Sequence, residues 1–383
     1  MKLRTRTATA AAVLAAALAL AGCGASQNDT NASAGNAAAS AAGSGTGSTA
    51  GSATGSAAGS ATGSAAGSAM GSASGSAAPA GAACTGKSKD GAPDPTALTL
   101  ALVPSGDAKK LVETVKPLED ALTKSLGIPV KGVITQDYQA AVEAIGSDQA
   151  QIGMLPSLQM SQACDRYGAV PALQTQRAGK ASYSAQFFTN NPDKYCADKP
   201  VKDKNGMLFC NGTESGNGPA GLSSLPKIKG AKISLLQAAS PAGYIFPVAA
   251  MKAAGISVDS DVKPIQVTAN DASVLAVYNG DAEVGTSYWD ARTVVQPDHA
   301  DVGTKVVVFA LTDEIPNDGV SLSSNLSKAW QDKISAAMKA YAKTPDGVKA
   351  LTAIYQITGL VDANTTALAK TQQVAASIGL GGK

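Results

Sequence analysis

The sequence predicts an α/β protein whose folded part divides into two lobes, and three observations carry that expectation. Apolar runs of strand length alternate with stretches of helical period, an order that implies largely parallel sheets. The alternation occurs twice, once on each side of a polar excursion that holds Cys196 and Cys210. About 290 residues lie beyond the low-complexity N-terminal region, enough for two lobes with cores of their own.

In the first unit, Leu98 to Val103 is a nearly continuous apolar run and reads as a strand. Leu111, Val115, Leu118, Leu122 and Leu126 then fall at helical spacing, with Pro117 marking either a kink or the start of the main part and Gly127 closing it. Val130 to Ile134 supplies the next strand. Asp137 caps a helix over Tyr138–Ile145, Gln151–Leu155 is a strand, and Pro156-Ser157 opens another helix where proline is tolerated. The second unit repeats the pattern. A strand at Lys232–Leu236 precedes a helix from near Ser240, and a strand at Val262–Val267 precedes a helix over Asp271–Tyr278. Val284–Trp289 and Val306–Ala310 return as strands before helical sequence over Leu326–Ala342 and Asp346–Ile357. These elements give a folded part over 96–383, with lobe 1 over about 96–188 and 310–383 and lobe 2 over about 189–309. In open α/β sheets ligands sit beyond the carboxyl ends of strands, so a cleft between the lobes is the expected site.

The N-terminus reads as an export signal. Lys2, Arg4 and Arg6 precede an apolar stretch from Ala8 to Leu20 that is short for a membrane span, and Leu20-Ala21-Gly22-Cys23 is the pattern cut ahead of an acylated cysteine. Residues 1–22 are therefore a lipoprotein signal peptide, and Cys23 is expected to carry the lipid that holds the protein outside the cell membrane. Residues 23–95 form a linker that is mostly Gly, Ser and Ala, including seven Gly-Ser-Ala-x tetrads from Gly51 to Ala78. It cannot bury a core and is expected to be disordered, a tether of on the order of 40 Å for ~60 residues.

Charge and cysteines exclude other classes. Three of the 31 basic residues lie in the signal, leaving 28 against 29 acidic ones, a near balance that argues against nucleic acid as a partner. Beyond Cys23, four cysteines remain, an even number suited to disulfides in an oxidising compartment. Proximity favours Cys196 with Cys210, which leaves Cys84 with Cys164. A metal site is not expected, since the spacings are not CxxC and His299 is the single histidine; nor is a cofactor or catalysis, for want of a paired-carboxylate or nucleophile motif. Gly81-Ala82-Ala83-Cys84-Thr85-Gly86-Lys87-Ser88 fits the GxxxxGK[ST] pattern, but no strand precedes it and no helix follows, so nucleotide binding is not expected.

Four helix starts carry the candidate chemistry: Asp137-Tyr138, Pro156-Ser157, Ser240-Pro241-Ala242-Gly243 and Asn270-Asp271. Each presents unpaired N–H groups and the positive end of a helix, so starts converging on one cleft make an anion site without a lysine or arginine.

Several motifs in order resemble one family. Val103-Pro104-Ser105-Gly106-Asp107, Pro117-Leu118-Glu119-Asp120-Ala121-Leu122, Leu126-Gly127-Ile128-Pro129-Val130 and Asp137-Tyr138-Gln139-Ala140-Ala141-Val142-Glu143-Ala144 look like the phosphate/phosphite/phosphonate-binding proteins of ABC importers. So do Ala242-Gly243-Tyr244-Ile245-Phe246-Pro247, Leu275 through Ala282, and Ile315-Pro316-Asn317-Asp318, over about residues 98–345. The resemblance implies a two-lobed Venus-flytrap fold of the second periplasmic-binding class, a monomer that captures a small oxyanion and delivers it to the importer's permease, meeting the membrane only through its lipid. It implies ligand contacts from Tyr138, Tyr183, Ser157, Ser240, Ala242, Gly243 and Asn270, and an acidic contact from Asp290 that selects ligands able to donate a hydrogen bond. A sensory lipoprotein on the same fold is the alternative reading. The sequence departs from the family at the Ser240 turn, where the usual run of hydroxyls is reduced to Ser240 followed by Pro241 and Ala242, and at Asn270, where the family has histidine. Pro241 and Ala242 remove two hydroxyls and one N–H, each a bond worth about 1.5–3 kcal/mol to a charged ligand, whereas Asn270 can still donate a hydrogen bond but cannot carry charge.

Overall fold

A computed structural model describes residues 83–380. The signal peptide, Cys23 and the linker as far as residue 82 lie outside the described residues.

Strand β1 (Leu98–Leu102) leads to helices α1 (Ala108–Thr114) and α2 (Lys116–Leu126), which break at Val115 with Pro117 in the first turn of α2. Proline is tolerated there because the first-turn N–H groups have no partner within the helix. β2 (Val130–Ile134), α3 (Tyr138–Gly146), β3 (Ile152–Leu155), α4 (Ser157–Tyr167) and β4 (Val170–Gln176) follow. The chain crosses to the second lobe and forms β5 (Ser182–Thr189), short α5 (Pro192–Tyr195), and a small hairpin of β6 (Val201–Lys202) and β7 (Leu208–Phe209). Next come β8 (Lys232–Leu235), a wide helical turn at Pro241–Ile245, α6 (Phe246–Ala253), β9 (Lys263–Gln266), α7 (Asn270–Tyr278) and β10 (Val284–Tyr288). Short α8 (Arg292–Val295) and α9 (Val302–Lys305) precede β11 (Val307–Pro316), which returns the chain to the first lobe as β12 (Gly319–Leu322). α10 (Lys328–Tyr341), α11 (Pro345–Tyr355), β13 (Gly359–Asp362) and α12 (Thr365–Ser377) complete it.

Two sheets result, ordered β13-β4-β12-β3-β1-β2 and β6-β7-β11-β5-β10-β8-β9. In the first, β1 runs parallel to β2 and β3; in the second, β8 runs parallel to β9 and β10. The crossing strands pair antiparallel, β12 with β3 and β4, and β11 with β5. The first core packs Leu100, Leu102 and Ile152 against Leu118, Leu122, Ile334 and Met338. The second sheet is covered on both faces, by Phe187, Leu235 and Phe309 on one and Phe188, Val274 and Val308 on the other. α12 packs against α4 of the first lobe and α6 of the second, so it spans the junction.

The lobe boundaries fall elsewhere than the sequence suggests. β5 and all of β11 belong to the second sheet, which places the crossings at residues 177–181 and 317–318 rather than near 188 and 309. An isolated strand sequence does not state which sheet it joins. The linker also ends earlier than residue 95. Cys84 is bonded to Cys164, Lys87 N donates to Gly168 O, Lys89 N to Leu326 O, and Trp330 Nε1 to Asp94. Within the nucleotide-binding look-alike, Gly86 has φ +74° and a Cβ there would lie 2.5 Å from Ala169 O, so its glycine serves close packing. The second disulfide joins Cys196 to Cys210 and closes the polar excursion. Among the described residues no helix is long and apolar enough to cross a membrane.

Candidate functional site

The parallel strands of both lobes end toward a common cleft of about 200 Å³. Five helix starts line it: Asp107 ahead of α1, Tyr138 opening α3, Pro156 ahead of α4, Ser240 ahead of the wide turn, and Asn270 opening α7. Parallel strands place every following helix start at the same sheet edge, which is why residues so distant in sequence meet here.

The lobes are closed upon each other. Ser105 O accepts from Asn270 N at 3.3 Å and from Asn270 Nδ2 at 3.0 Å, and Gln356 Nε2 donates to Thr293 Oγ1 at 3.2 Å. At the rim Lys110 Nζ meets Asp298 Oδ2 at 3.2 Å, an exposed pair of small energetic weight.

Of the residues singled out from sequence, Tyr138, Tyr183, Ser240, Ala242 and Asn270 line the cleft. Ser240 Oγ accepts from Gly243 N at 3.1 Å and its hydroxyl stands beside that of Tyr138. Asn270 spends its amide nitrogen on Ser105, and its buried Oδ1 has no partner among the described residues, so the cleft also holds an acceptor. Three other positions are corrected. Gly243 lies behind the Ser240 turn: its N–H is taken by Ser240 and a Cβ there would sit 2.6 Å from the Leu236 side chain. Ser157 is fully buried and turned toward α12, where its Oγ lies 3.0 Å from Thr371 Oγ1; Pro156 faces the cleft in its place. Asp290 does not reach the ligand space. It is locked beneath β10 by Arg292, with Nη2–Oδ2 2.7 Å and Nε–Oδ1 2.9 Å, and Arg292 Nη1 donates to Leu208 O and Val306 O. A sequence position near a tyrosine cluster does not reveal that a neighbour two residues on claims the carboxylate.

Sequence reasoning missed Arg177, Asp318, Tyr288 and Tyr355. Arg177 lies in the first crossing and Asp318 in the second, and their side chains join at 2.6 Å on the cleft floor. Arg177 Nε donates to Tyr355 O at 2.9 Å, and its guanidinium stands 5.2 Å from the centre of the Tyr183 ring. Burial disfavours its charge, but the Asp318 charge and hydrogen bond, with the neighbouring Tyr183 and Tyr288, together outweigh this and hold the guanidinium more firmly protonated. Burial pushes the Tyr183 hydroxyl well above its ordinary 10.0, with the Asp318 charge adding to the shift, and burial also raises Tyr138 and Tyr288. All three stay neutral donors throughout the physiological range. Tyr355 donates to Val103 O at 2.7 Å, whereas Tyr183 and Tyr288 direct no hydroxyl bond at any described residue. The scarcity of aromatic residues, 4% of the chain, is the sequence signal that a four-tyrosine cleft is specialised.

A closed cleft between two α/β lobes, ringed by helix starts and phenol donors, defines a solute-binding protein of the class II periplasmic type. The family comparison agrees: the model described as ABC transporter, phosphonate, periplasmic substrate-binding protein matches residues 100–368, more than half of the chain. The chain belongs to that family, whose members are binding components of transporters that act outside the cytoplasm rather than enzymes. Among solved structures it is similar to the binding protein component of an ABC phosphonate transporter from Pseudomonas aeruginosa, with TM-score 0.60, 16% identity, and 73% of this chain and 86% of that one covered. It is also similar to PhnD1 from Prochlorococcus marinus in complex with methylphosphonate, with TM-score 0.62, 14% identity, and 75% and 100% covered. A Xanthomonas citri protein bound to chloride ion matches with TM-score 0.55, 18% identity, and 74% and 98% covered. At these identities the likeness is one of fold.

Proposed function

We propose that this protein captures a small phosphorus oxyanion, a phosphonate, phosphite or phosphate, and delivers it to the permease of an ABC importer. It works as a monomer held outside the cell membrane by a lipid on Cys23. The observation that carries the reading is the convergence of five helix starts on one closed cleft whose Tyr183 and Tyr288 hydroxyls have no acceptor among the described residues. Helix starts and neutral phenols favour a compact anion. The volume supports a small one: about 200 Å³ displaces roughly six or seven waters, room for an oxyanion with a short substituent. Tyr138, Tyr183, Ser240 and Asn270 supply the polar contacts and Ala242 an apolar wall. Asn270 Oδ1 favours a ligand that brings its own donor, such as a P–OH group or an amine.

Calorimetric titration of the full chain carrying Cys23→Ser tests this. Methylphosphonate, phosphite, phosphate and sulfate are compared, and saturable one-to-one binding of a phosphorus oxyanion with sulfate much weaker is expected. A folded protein that binds none of the phosphorus ligands would refute the reading.

A further inference from the structure

We infer that Arg177, the hinge arginine on the cleft floor, is the counter-charge for the bound anion and sets its affinity. This deepens the oxyanion reading and rests on it.

The donors expected of the helix starts are depleted in this chain. Pro241 has no N–H, Ala242 has no hydroxyl, Gly243 N is spent on Ser240, and Asn270 donates to Ser105. At α3 and α7, Asp137 and Asp271 take the N–H groups of Ala140 and Ala272. The cleft wall also carries three carboxylates, Asp107, Asp271 and Asp318, against two cations, Lys110 and Arg177. An anion entering such a space needs a positive group that is both near and unspent. Lys110 is on the rim, with its side chain 67% exposed, and already faces Asp298.

Arg177 meets both requirements, with its side chain only 18% exposed. Its guanidinium carries five N–H donors and stays charged. Nε is used by Tyr355 O and one Nη2 proton by Asp318, while Nη1 has no acceptor among the described residues. Those two bonds, with the Tyr183 ring alongside, fix the plane of the fork and leave its remaining edge unspent. The Tyr183 ring stands 5.2 Å from the guanidinium, and Tyr288 lines the same cleft, so Arg177 and two phenol donors share one space.

Titration of the full chain carrying Cys23→Ser with methylphosphonate distinguishes this from a purely structural hinge pair. Arg177→Met is expected to weaken binding roughly 10- to 100-fold, the loss of one charge-assisted bond. Asp318→Asn removes the competing carboxylate and is expected to leave affinity unchanged or raise it. Should Arg177→Met fail to fold in thermal unfolding, Arg177→Lys takes its place, keeping the charge, losing the fork and binding less tightly than wild type. Equal weakening by the arginine and aspartate variants, or an arginine variant that binds like wild type, overturns the inference while the oxyanion reading stands. A folded wild type that ignores every phosphorus ligand removes both.

Discussion

Two Arg–Asp pairs in this molecule have the same chemistry and opposite surroundings. Arg292 and Asp290 sit inside the second lobe, at 0% and 6% side-chain exposure, with Arg292 donating to the carboxylate through two nitrogens and to Leu208 O and Val306 O through the third. The Phe209 ring lies 4.4 Å from its guanidinium carbon. Arg177 and Asp318 sit on the floor of the cleft with one bond between them, and Arg177 Nη1 has no acceptor among the described residues. A pair whose guanidinium nitrogens are all engaged by protein holds structure. A pair with an unanswered donor at a cavity can bind something that comes and goes.

The largest effect should come from breaking the closed pair. Asp290→Asn leaves Arg292 buried without a counter-charge, an expected loss of about 3–5 kcal/mol in urea unfolding, with ligand affinity of the folded protein unchanged. The contrast between the pairs collapses if Asp318→Asn destabilises the protein as much. An intermediate effect is expected at Tyr183. Tyr183→Phe keeps the ring beside Arg177 and removes one hydroxyl, so methylphosphonate binding should weaken by about 1.5–3 kcal/mol with little change in thermal midpoint. A substantial drop in that midpoint would mean that the hydroxyl serves the fold.

The smallest effect sharpens the comparison with a third, more solvated pair. Burial opposes ionisation of Glu283, but hydrogen bonds from Lys194 and Tyr195, both at 2.7 Å, prevail and hold its carboxyl below its ordinary 4.5. A depressed folded value means stability that is present above about 4.5 and lost as pH falls through the folded value. With side-chain exposures of 39% and 31%, the pair is worth about 0.5–1 kcal/mol. Glu283→Gln should therefore lower the urea midpoint slightly at neutral pH and make no difference at acid pH; an equal loss at both would assign the effect to packing.

Much of the fold was legible in the sequence because local patterns dictate it. The apolar runs at Leu98 and Val130, the leucine period from Leu111 to Leu126, and the caps Asp137 and Ser240 all act within a few residues. Helix starts following parallel strands must gather at one edge, so the cleft and the cleft-facing Tyr138, Ser240 and Asn270 could be anticipated from chain order. Ser157 and Asp290 went elsewhere because their partners, Thr371 and Arg292, compete for them in ways a helix start does not reveal.

By itself the sequence determined the alternation of strands and helices, the two-lobed plan and the helix starts that face the cleft, since hydrophobic period and capping are short-range. Only the tertiary structure decided that β5 and β11 belong to the second sheet, that residues 84–95 pack on the first lobe, and that Arg177 meets Asp318 across 141 residues. Sheet membership and ion pairing depend on which surfaces the fold brings within a few ångströms, and that distance is a property of the whole chain.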